Sequence, residues 1–379
     1  MGVRMIRILE LCSGYGTATF ALKMENISHE LVGYSDKDKY ANQCFKQNHG
    51  GKELGDMTKI DIESLPDFDL LTCGFPCQDV SVAGKQDLSK GRTILGYELQ
   101  KYLRIKKPKY FMFENVKGIL SKKFKPFLDE LLKQWSESGY NVHYKVLNTK
   151  EYGIPQNRER VFFVGIRTDL NQVFKFPEKE ELKIFLKDIL EDEVDEKYYL
   201  KEEKVRQLIK NDNWNCNPSG RGMNGNVHRG DVAPTVTTNK GEGHKIAIPV
   251  ITPDRVNKRQ NGRRFKTDGE PMFTLNTQDR HGILQINNPK HSNNRVYSNE
   301  GISPTLNTMQ GGDRQPFVAN KNLIIRKLTP KECFRLQGFL NDEINLEGLS
   351  NTQQYKLSGN GQSVNVVRKI FRNLLKNEY

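Results

Sequence analysis

The chain lacks long apolar runs and clustered cysteines. No stretch approaches the roughly 20 apolar residues that a membrane-spanning helix needs, and the first residues lack the apolar segment of a secretory signal. Only six cysteines occur in 379 residues, at positions 12, 44, 73, 77, 216 and 333, and their spacing matches no zinc site. We therefore expect a cytoplasmic protein with reduced cysteines and no bound metal.

Acidic residues are outnumbered by basic ones. Lysine and arginine total 59 against 46 aspartates and glutamates, which gives a formal net charge of +13. A basic excess favours a polyanionic partner. The hydrophobic share of 36% is enough for a sizeable core, and the length predicts two or three domains.

Short apolar runs alternate with helical stretches through the first half of the chain. The apolar runs cover residues 6–11, 30–34, 69–72, 110–113 and 161–166, and a helix is predicted over 17–24. This alternation predicts a mostly parallel sheet covered by helices. In such a sheet, ligands bind at the carboxyl ends of the strands.

The second half has a different composition. An acidic stretch at 178–203 reads as a linker or a solvated helix, and residues 211–320 are rich in Gly, Asn, Thr, Arg and Gln. A weak repeat recurs at 233–238, 273–277 and 303–308, each copy running into a polar loop. The loops suit base-edge reading, with an ordinary β-rich domain as the alternative. The basic segment 255–266 suits contact with phosphates or forms a solvated loop.

Three polar segments are placed to carry chemistry. Cys77 follows Pro76 just beyond a strand, where a partly exposed thiolate could act as a nucleophile. Glu114 directly follows another strand, where burial would keep its carboxyl protonated as a general acid; a glutamate facing water is the alternative. Arg158 and Arg160 alternate along an extended segment, so they point to one face and suit an anionic or carbonyl ligand.

The glycine loop after the first strand is incomplete as a dinucleotide motif. Gly14 and Gly16 are present, but the third glycine is missing. The loop therefore argues against a pyrophosphate cofactor and permits a nucleoside such as S-adenosylmethionine (SAM). Asp36, at the end of the next strand, could bind a ribose hydroxyl.

Together and in this order, these motifs resemble the cytosine-5 DNA methyltransferases. The specific ones are Pro76-Cys77-Gln78, Glu114-Asn115-Val116 and Gln156-x-Arg158-x-Arg160. The similar segments extend from the first strand to the C-terminal region: 10–16, 55–57, 74–78, 113–116, 152–160, 328–339 and 359–364. The resemblance implies an α/β fold: a Rossmann-like SAM-dependent large domain, residues 1–200 plus 345–379, with a smaller β- and loop-rich target-recognition domain, residues 201–344.

The resemblance also implies roles for residues at the matching positions. Cys77 would attack C6 of a cytosine flipped out of duplex DNA, Glu114 would bind N3, and Arg158 and Arg160 would orient the base and the Cys77 loop. SAM would be the methyl donor, with no metal. The implied cofactor contacts are Gly14, Tyr15, Gly16, Asp36, Asp56, Met57, Pro76, Leu95, Asn360 and Ser363.

The resemblance further implies a monomer acting on double-stranded DNA, with a restriction endonuclease as a possible separate partner. A tRNA cytosine-5 methyltransferase, a catalytically inert DNA-binding module and a nicotinamide oxidoreductase are the alternatives. Four features depart from the family pattern: Cys12 in place of an aromatic residue, Lys37, Asp79, and the extra pair Gly361-Gln362 in the last motif. They concern cofactor affinity more than the catalytic groups.

The polar loops of the repeat generate a prediction. Exchanging residues 278–281 or 310–315 for those of a relative should change the methylated DNA sequence, because loop side chains read base edges. Bisulfite sequencing of host DNA measures the preference. An unchanged preference after both exchanges would contradict the placement of recognition in these loops.

Overall fold

The computed structural model describes residues 5–75, 94–199, 296–298, 303–304, 317–319 and 325–378. Its strands are β1 (Ile6–Leu11), β2 (His29–Ser35), β3 (Leu70–Cys73), β4 (Tyr110–Val116), β5 (Tyr140–Asn148), β6 (Gln156–Asn157), β7 (Glu159–Arg167), β8 (Val296–Ser298), β9 (Ser303–Pro304), β10 (Phe317–Ala319) and β11 (Ile325–Lys327). The helices are α1 (Thr17–Met24), α2 (Lys39–His49), α3 (Ile94–Lys106), α4 (Lys125–Glu137), α5 (Pro330–Arg335), α6 (Asn351–Asn360) and α7 (Val364–Leu374).

A six-stranded sheet with the order β2-β1-β3-β4-β7-β5 organises the first half of the chain. Strands β1 to β4 run parallel, as the alternation of strands and helices predicts. Strand β7 pairs antiparallel with both β4 and β5. The sheet is therefore mixed, and the amino end of β7 lies at the same edge as the carboxyl ends of β1, β3 and β4.

The strands are apolar because both faces of the sheet are covered. Side chains alternate between the faces: in β4, Tyr110 and Met112 join one core cluster, whereas Phe111 and Phe113 join the other. Helices α1 and α7 cover the first face, with Ala21 and Ile370 among their buried residues. Helices α3 and α4 cover the second face. Burial of both faces explains why the strands appear in the sequence as near-continuous hydrophobic runs.

The chain divides into two compact units. The first contains residues 1–184, 304–310 and 330–379, and the second contains 185–303 and 311–329. Residues 330–344, which the sequence assigns to the recognition domain, lie in the first unit because Phe334 and Phe339 pack edge-on against Tyr15. In the second unit, β10 pairs antiparallel with β11 and parallel with β8.

The three repeat copies and the basic segment 255–266 fall outside the described residues, apart from β9 at the start of the third copy. The recognition role of the second unit therefore stays a prediction. Within the described parts of the chain, no helix is both long and apolar enough to cross a membrane.

The close packing of β4 on β7 generates a stability prediction. A Cβ on Gly165 would lie 1.9 Å from Cε1 of Phe111, its cross-strand neighbour. We expect Gly165→Ala to destabilise the protein by about 1–3 kcal/mol through overpacking, seen as a lower thermal unfolding midpoint. Adding Phe111→Leu should recover part of the loss. Additive losses in the double variant would contradict a direct clash.

Candidate active site

The candidate site forms at one edge of the central sheet. Strands β1, β3 and β4 are parallel, so the segments that follow Leu11, Cys73 and Phe113 meet there. The antiparallel β7 begins at the same edge, and its Arg160 pairs with Val116 at the end of β4. The sheet thus gathers motifs that are more than 100 residues apart in the sequence.

The loop between β1 and α1 needs its two glycines. Gly14 has φ +56° and Gly16 has φ +86°, a left-handed region that favours glycine. A side chain on Gly16 would also collide with the ring of His49. The loop is held by a hydrogen bond of 2.9 Å from the Gly14 amide to Oδ2 of Asp36. Two predicted cofactor residues are therefore directly linked.

Glu10 caps α1 from within the preceding strand. Its carboxylate accepts hydrogen bonds from the amides of Ala18 and Thr19, at 3.0 and 3.1 Å, and from the Thr19 hydroxyl at 2.7 Å. Burial raises the pKa of Glu10 to about 7, although these hydrogen bonds and the positive end of the helix oppose the shift. Glu10 thus fixes the direction in which the glycine loop enters the helix.

A polar pocket opens against this loop. It is lined by Glu10, Leu11, Cys12, Ser13, Gly14, Thr17, Thr72, Cys73, Gly74, Asn360, Gly361 and Gln362. The hydroxyl oxygens of Ser13 and Thr72 are buried and have no hydrogen-bond partner within the part of the chain that the structure describes. Buried polar atoms of this kind suit a polar ligand, because an unsatisfied group is costly. The lining fits a nucleoside cofactor with a charged amino-acid end.

Of the predicted cofactor residues, Gly14 and Asn360 line this pocket, and Asp56 and Met57 lie beside it. The Cys12 thiol contacts the Met57 sulfur at 3.7 Å, and Lys37 lies 3.2 Å from Asp56. Burial raises the pKa of Asp56, but hydrogen bonds from Thr58 and the Lys37 ammonium together lower it by more. The net pKa of Asp56 is therefore below its usual value. Two departures from the family pattern therefore meet here.

Three of the remaining predicted cofactor residues, Tyr15, Leu95 and Ser363, are buried. Tyr15 is fully buried and its hydroxyl donates to the backbone oxygen of Gln362. Leu95 is buried in the core cluster on the α3 and α4 face. Ser363 is the N-cap residue of α7, and its buried hydroxyl oxygen has no partner among the described residues. Pro76 falls outside the described residues.

Several residues that line the pocket were not predicted from the sequence as cofactor contacts. Glu10, Cys73 and Gly74 lie inside or beside recognisable motifs, so their positions in the chain were a usable signal. No such signal pointed to Gln362, because it belongs to an insertion relative to the family pattern. Asn115 is also informative: its side-chain amide donates to the Phe75 carbonyl at 3.3 Å and ties the end of β4 to the segment after β3.

Glu114 is a buried carboxyl group at the end of β4. It is 7% exposed, and its Oε1 atom lies 3.2 Å from Nε of Arg160. This contact is an ion pair without an aligned hydrogen bond, since Oε1 has no hydrogen-bond partner among the described residues. Burial raises the pKa of Glu114, and the charges of Arg160 and Arg158 oppose the rise only in part. The protonated form is therefore favoured relative to a free glutamate.

The Arg158 side chain is buried and donates hydrogen bonds to backbone carbonyl groups. It is 2% exposed, and one Nη2 atom donates to the carbonyl oxygens of Gly361 at 2.7 Å and Gly359 at 3.3 Å. Burial lowers the pKa of Arg158 to about 9, with a further contribution from the neighbouring Arg160. Arg158 thus connects β7 to the last motif, whereas Arg160 faces the Glu114 carboxyl.

Cys77 also falls outside the described residues, and its distance from Glu114 stays a prediction. The described chain reaches Phe75, two residues earlier, at the same sheet edge as Glu114. No group of three or more potential metal ligands occurs within the described residues.

The sheet, the glycine loop and the polar pocket at the carboxyl edge define a Rossmann-like α/β enzyme of the methyltransferase class. Solved structures agree at the level of the fold. The Entamoeba histolytica methyltransferase EhMeth superposes with a TM-score of 0.64 at 15% identity over 99% of both chains. The Dnmt2 methyltransferase of S. pombe superposes with a TM-score of 0.60 at 18% identity, again over 99% of both chains.

Sequence comparisons give the family. The model of the C-5 cytosine-specific DNA methylases matches residues 6–376. The orphan methyltransferase M.SPRI of Bacillus phage SPR is 37% identical, over 98% of this chain and 97% of that protein. The type II methyltransferase M.HhaI of Haemophilus parahaemolyticus is 31% identical, over 97% of this chain and 94% of that protein. The chain belongs to the C-5 cytosine-specific DNA methylases and is a DNA cytosine methyltransferase.

The link between Asp36 and the glycine loop generates a prediction. Asp36→Ala should weaken SAM binding at least tenfold, because it removes both the acceptor for the Gly14 amide and a carboxylate beside the pocket. Isothermal titration calorimetry measures the dissociation constant. Asp38→Ala is the matched control, since Asp38 caps α2 through the Tyr40 amide and does not line the pocket. Equal effects of the two variants would contradict a specific role for Asp36.

Proposed function

We propose that the enzyme transfers a methyl group from SAM to C5 of a cytosine flipped out of a specific duplex DNA sequence, through a covalent bond between Cys77 and C6. One observation carries the proposal: a buried carboxyl with a raised pKa, Glu114, lies beside Arg160 at the sheet edge where the polar pocket opens. This arrangement supports a general acid beside a cofactor pocket, which the proposed methylation of cytosine needs.

The pocket supplies the cofactor half of the site. When bound, SAM provides a methyl group on a positively charged sulfur, which is electrophilic toward carbon. The Gly14 loop and Asp36 would hold the nucleoside, and the unpartnered hydroxyls of Ser13 and Thr72 offer hydrogen bonds to polar ends of the ligand. Asp56, kept ionised and paired with Lys37, is a further acceptor at the pocket margin.

Glu114 supplies the acid for the base. Cytosine C5 is a weak nucleophile until a group adds to C6, so the Cys77 thiolate would form a bond to C6 while negative charge develops on the ring. A protonated Glu114 would donate its hydrogen to N3 and stabilise that charge. Arg160, 3.2 Å from the carboxyl, keeps Glu114 in place and offers further donors to the base carbonyl.

Completion of the cycle returns the free enzyme. Methyl transfer would release S-adenosylhomocysteine. Water would then take the C5 proton, the electrons of the C5–H bond would form the C5–C6 double bond, and the bond between C6 and the Cys77 sulfur would break. N3 would return its hydrogen to Glu114. C5 and C6 are stacked inside duplex DNA, so the target base must leave the helix to reach Glu114. The net charge of +13 favours contact with DNA phosphates.

Sequence selection would fall to the region of the repeat copies and their polar loops, residues 233–315, most of which belongs to the second unit. Relatives of this chain include enzymes named as type II and as orphan methyltransferases. We therefore propose a DNA-modifying enzyme that acts as a monomer, in the bacterial cytoplasm or a phage-infected cell, with or without a separate restriction endonuclease.

Methyl transfer from tritiated SAM tests the substrate. Duplex DNA and tRNA are supplied in parallel, and label should enter DNA. Incorporation into tRNA alone would overturn the proposal in favour of an RNA methyltransferase. DNA binding without incorporation into either nucleic acid would indicate an inert binding module.

Cys77 generates a separate prediction. Cys77→Ser should abolish turnover and leave DNA affinity within about threefold, because serine is a far weaker nucleophile at neutral pH. Duplex DNA that carries 5-fluorocytosine should trap the wild-type enzyme as an adduct stable to denaturing electrophoresis, since fluorine cannot leave as the C5 proton does. Cys333→Ser, at a buried cysteine of α5 that does not line the pocket, is the control and should still form the adduct. Absence of an adduct with active wild-type enzyme would refute covalent catalysis.

A further inference from the structure

The last motif contains an extra pair of residues, Gly361-Gln362, between α6 and the N-cap of α7. No role is implied for Gln362 by the family pattern. Its side chain is half-buried and lines the polar pocket together with Ser13 and Thr72. The Gln362 amide therefore lies in the pocket lining without an assigned role.

The backbone of the inserted pair is held firmly. Gly361 packs so closely on the ring of Tyr15 that a Cβ would lie 1.9 Å from Cε1. The Tyr15 hydroxyl donates to the backbone oxygen of Gln362, and Arg158 donates to the carbonyl of Gly361 at 2.7 Å. Two fully enclosed side chains thus fix the direction in which the Gln362 side chain leaves the backbone.

That direction leads to the catalytic carboxyl. A Cβ on Gly74 would lie 2.8 Å from Nε2 of Gln362 and 3.8 Å from Oε2 of Glu114. The amide and the carboxyl therefore flank the same glycine. Oε1, the other carboxyl oxygen, is on the side of Arg160. Glu114 thus has a cation near one oxygen and a neutral amide near the other.

We propose that Gln362 is a positioning residue for Glu114: its neutral amide supplies the hydrogen-bonding neighbour of Oε2 and orients the acid toward the target base. The inference rests on the proposed function, in which Glu114 acts in its protonated form. The amide N–H of Gln362 can donate to a carboxyl oxygen without adding charge, so the carboxylic hydrogen stays available for N3 of the base. A lysine at this position would instead favour the ionised form, and an acidic residue would compete for the proton.

The charges around Glu114 make the proposal testable, because they shift the pKa of its carboxyl. The titratable groups that act on Glu114 within the described residues are Arg160 and Arg158, with Tyr15 and Cys73 on the neighbouring elements. The arginines favour the ionised carboxyl, whereas any new negative charge favours the protonated one. A carboxylate in place of the Gln362 amide would therefore raise the pKa of Glu114 further.

The experiment follows methyl transfer to duplex DNA from pH 5.5 to 9 in the full-length enzyme. If protonated Glu114 is required, kcat/KM falls as the pH rises through its pKa. Gln362→Glu should move this fall upward by about one pH unit. Gln362→Leu, which is neutral but cannot hydrogen-bond, should move the fall by much less than Gln362→Glu does and lower kcat about tenfold, with the SAM dissociation constant within twofold of wild type. Thermal unfolding midpoints verify that the variants are folded.

Thr352→Glu is the matched control, because it adds the same charge at an exposed position in the first turn of α6, about 15 Å along the helix from Gln362. It should keep the wild-type pH profile. A wild-type profile for Gln362→Glu would overturn the inference alone. So would a tenfold weaker SAM affinity of Gln362→Leu with intact kcat, because that result assigns Gln362 to cofactor binding. A wild-type enzyme that does not methylate DNA would overturn the proposed function and this inference together.

Discussion

The antiparallel pairing of β7 with β4 is the constraint on which the candidate site depends. It places Arg160 opposite Val116 and Phe162 opposite Glu114, so that the arginine segment and the buried Glu114 carboxyl meet at one sheet edge. A parallel strand in the same place would carry its amino end, with the arginines, to the far edge. The backbone hydrogen bonds between the two strands therefore decide whether Glu114 has a cationic neighbour at all.

Opposing forces set the protonation of Glu114. Burial penalises the carboxylate, and two nearby guanidinium groups favour it. Arg158 donates through Nη2 to the carbonyl oxygens of Gly359 and Gly361, so backbone groups occupy part of its hydrogen-bonding capacity. The same contacts tie β7 to the last motif. One buried arginine therefore contributes to the architecture of the polar pocket and to the electrostatics of the Glu114 carboxyl.

Three of the four departures from the family pattern lie in or beside the polar pocket, and the fourth, Asp79, falls outside the described residues. Cys12, in place of an aromatic side chain, has its thiol against the Met57 sulfur, and Lys37 pairs with Asp56. The inserted Gly361-Gln362 pair closes against Tyr15 and points an amide toward Gly74. None of these residues replaces a proposed catalytic group. The variation therefore concerns the lining of the polar pocket and its border with Glu114.

Local patterns in the sequence determined the elements and the order of the motifs. Residues 6–11 and 17–24 form the predicted strand and helix, because burial on two faces or on one stripe dictates which positions are apolar. Only the tertiary structure decided the direction of β7, the packing of residues 330–344 in the first unit, and the approach of Gln362 to Glu114. Hydrophobic periodicity is the same for either strand direction, and contacts between distant residues depend on close packing that no local pattern records.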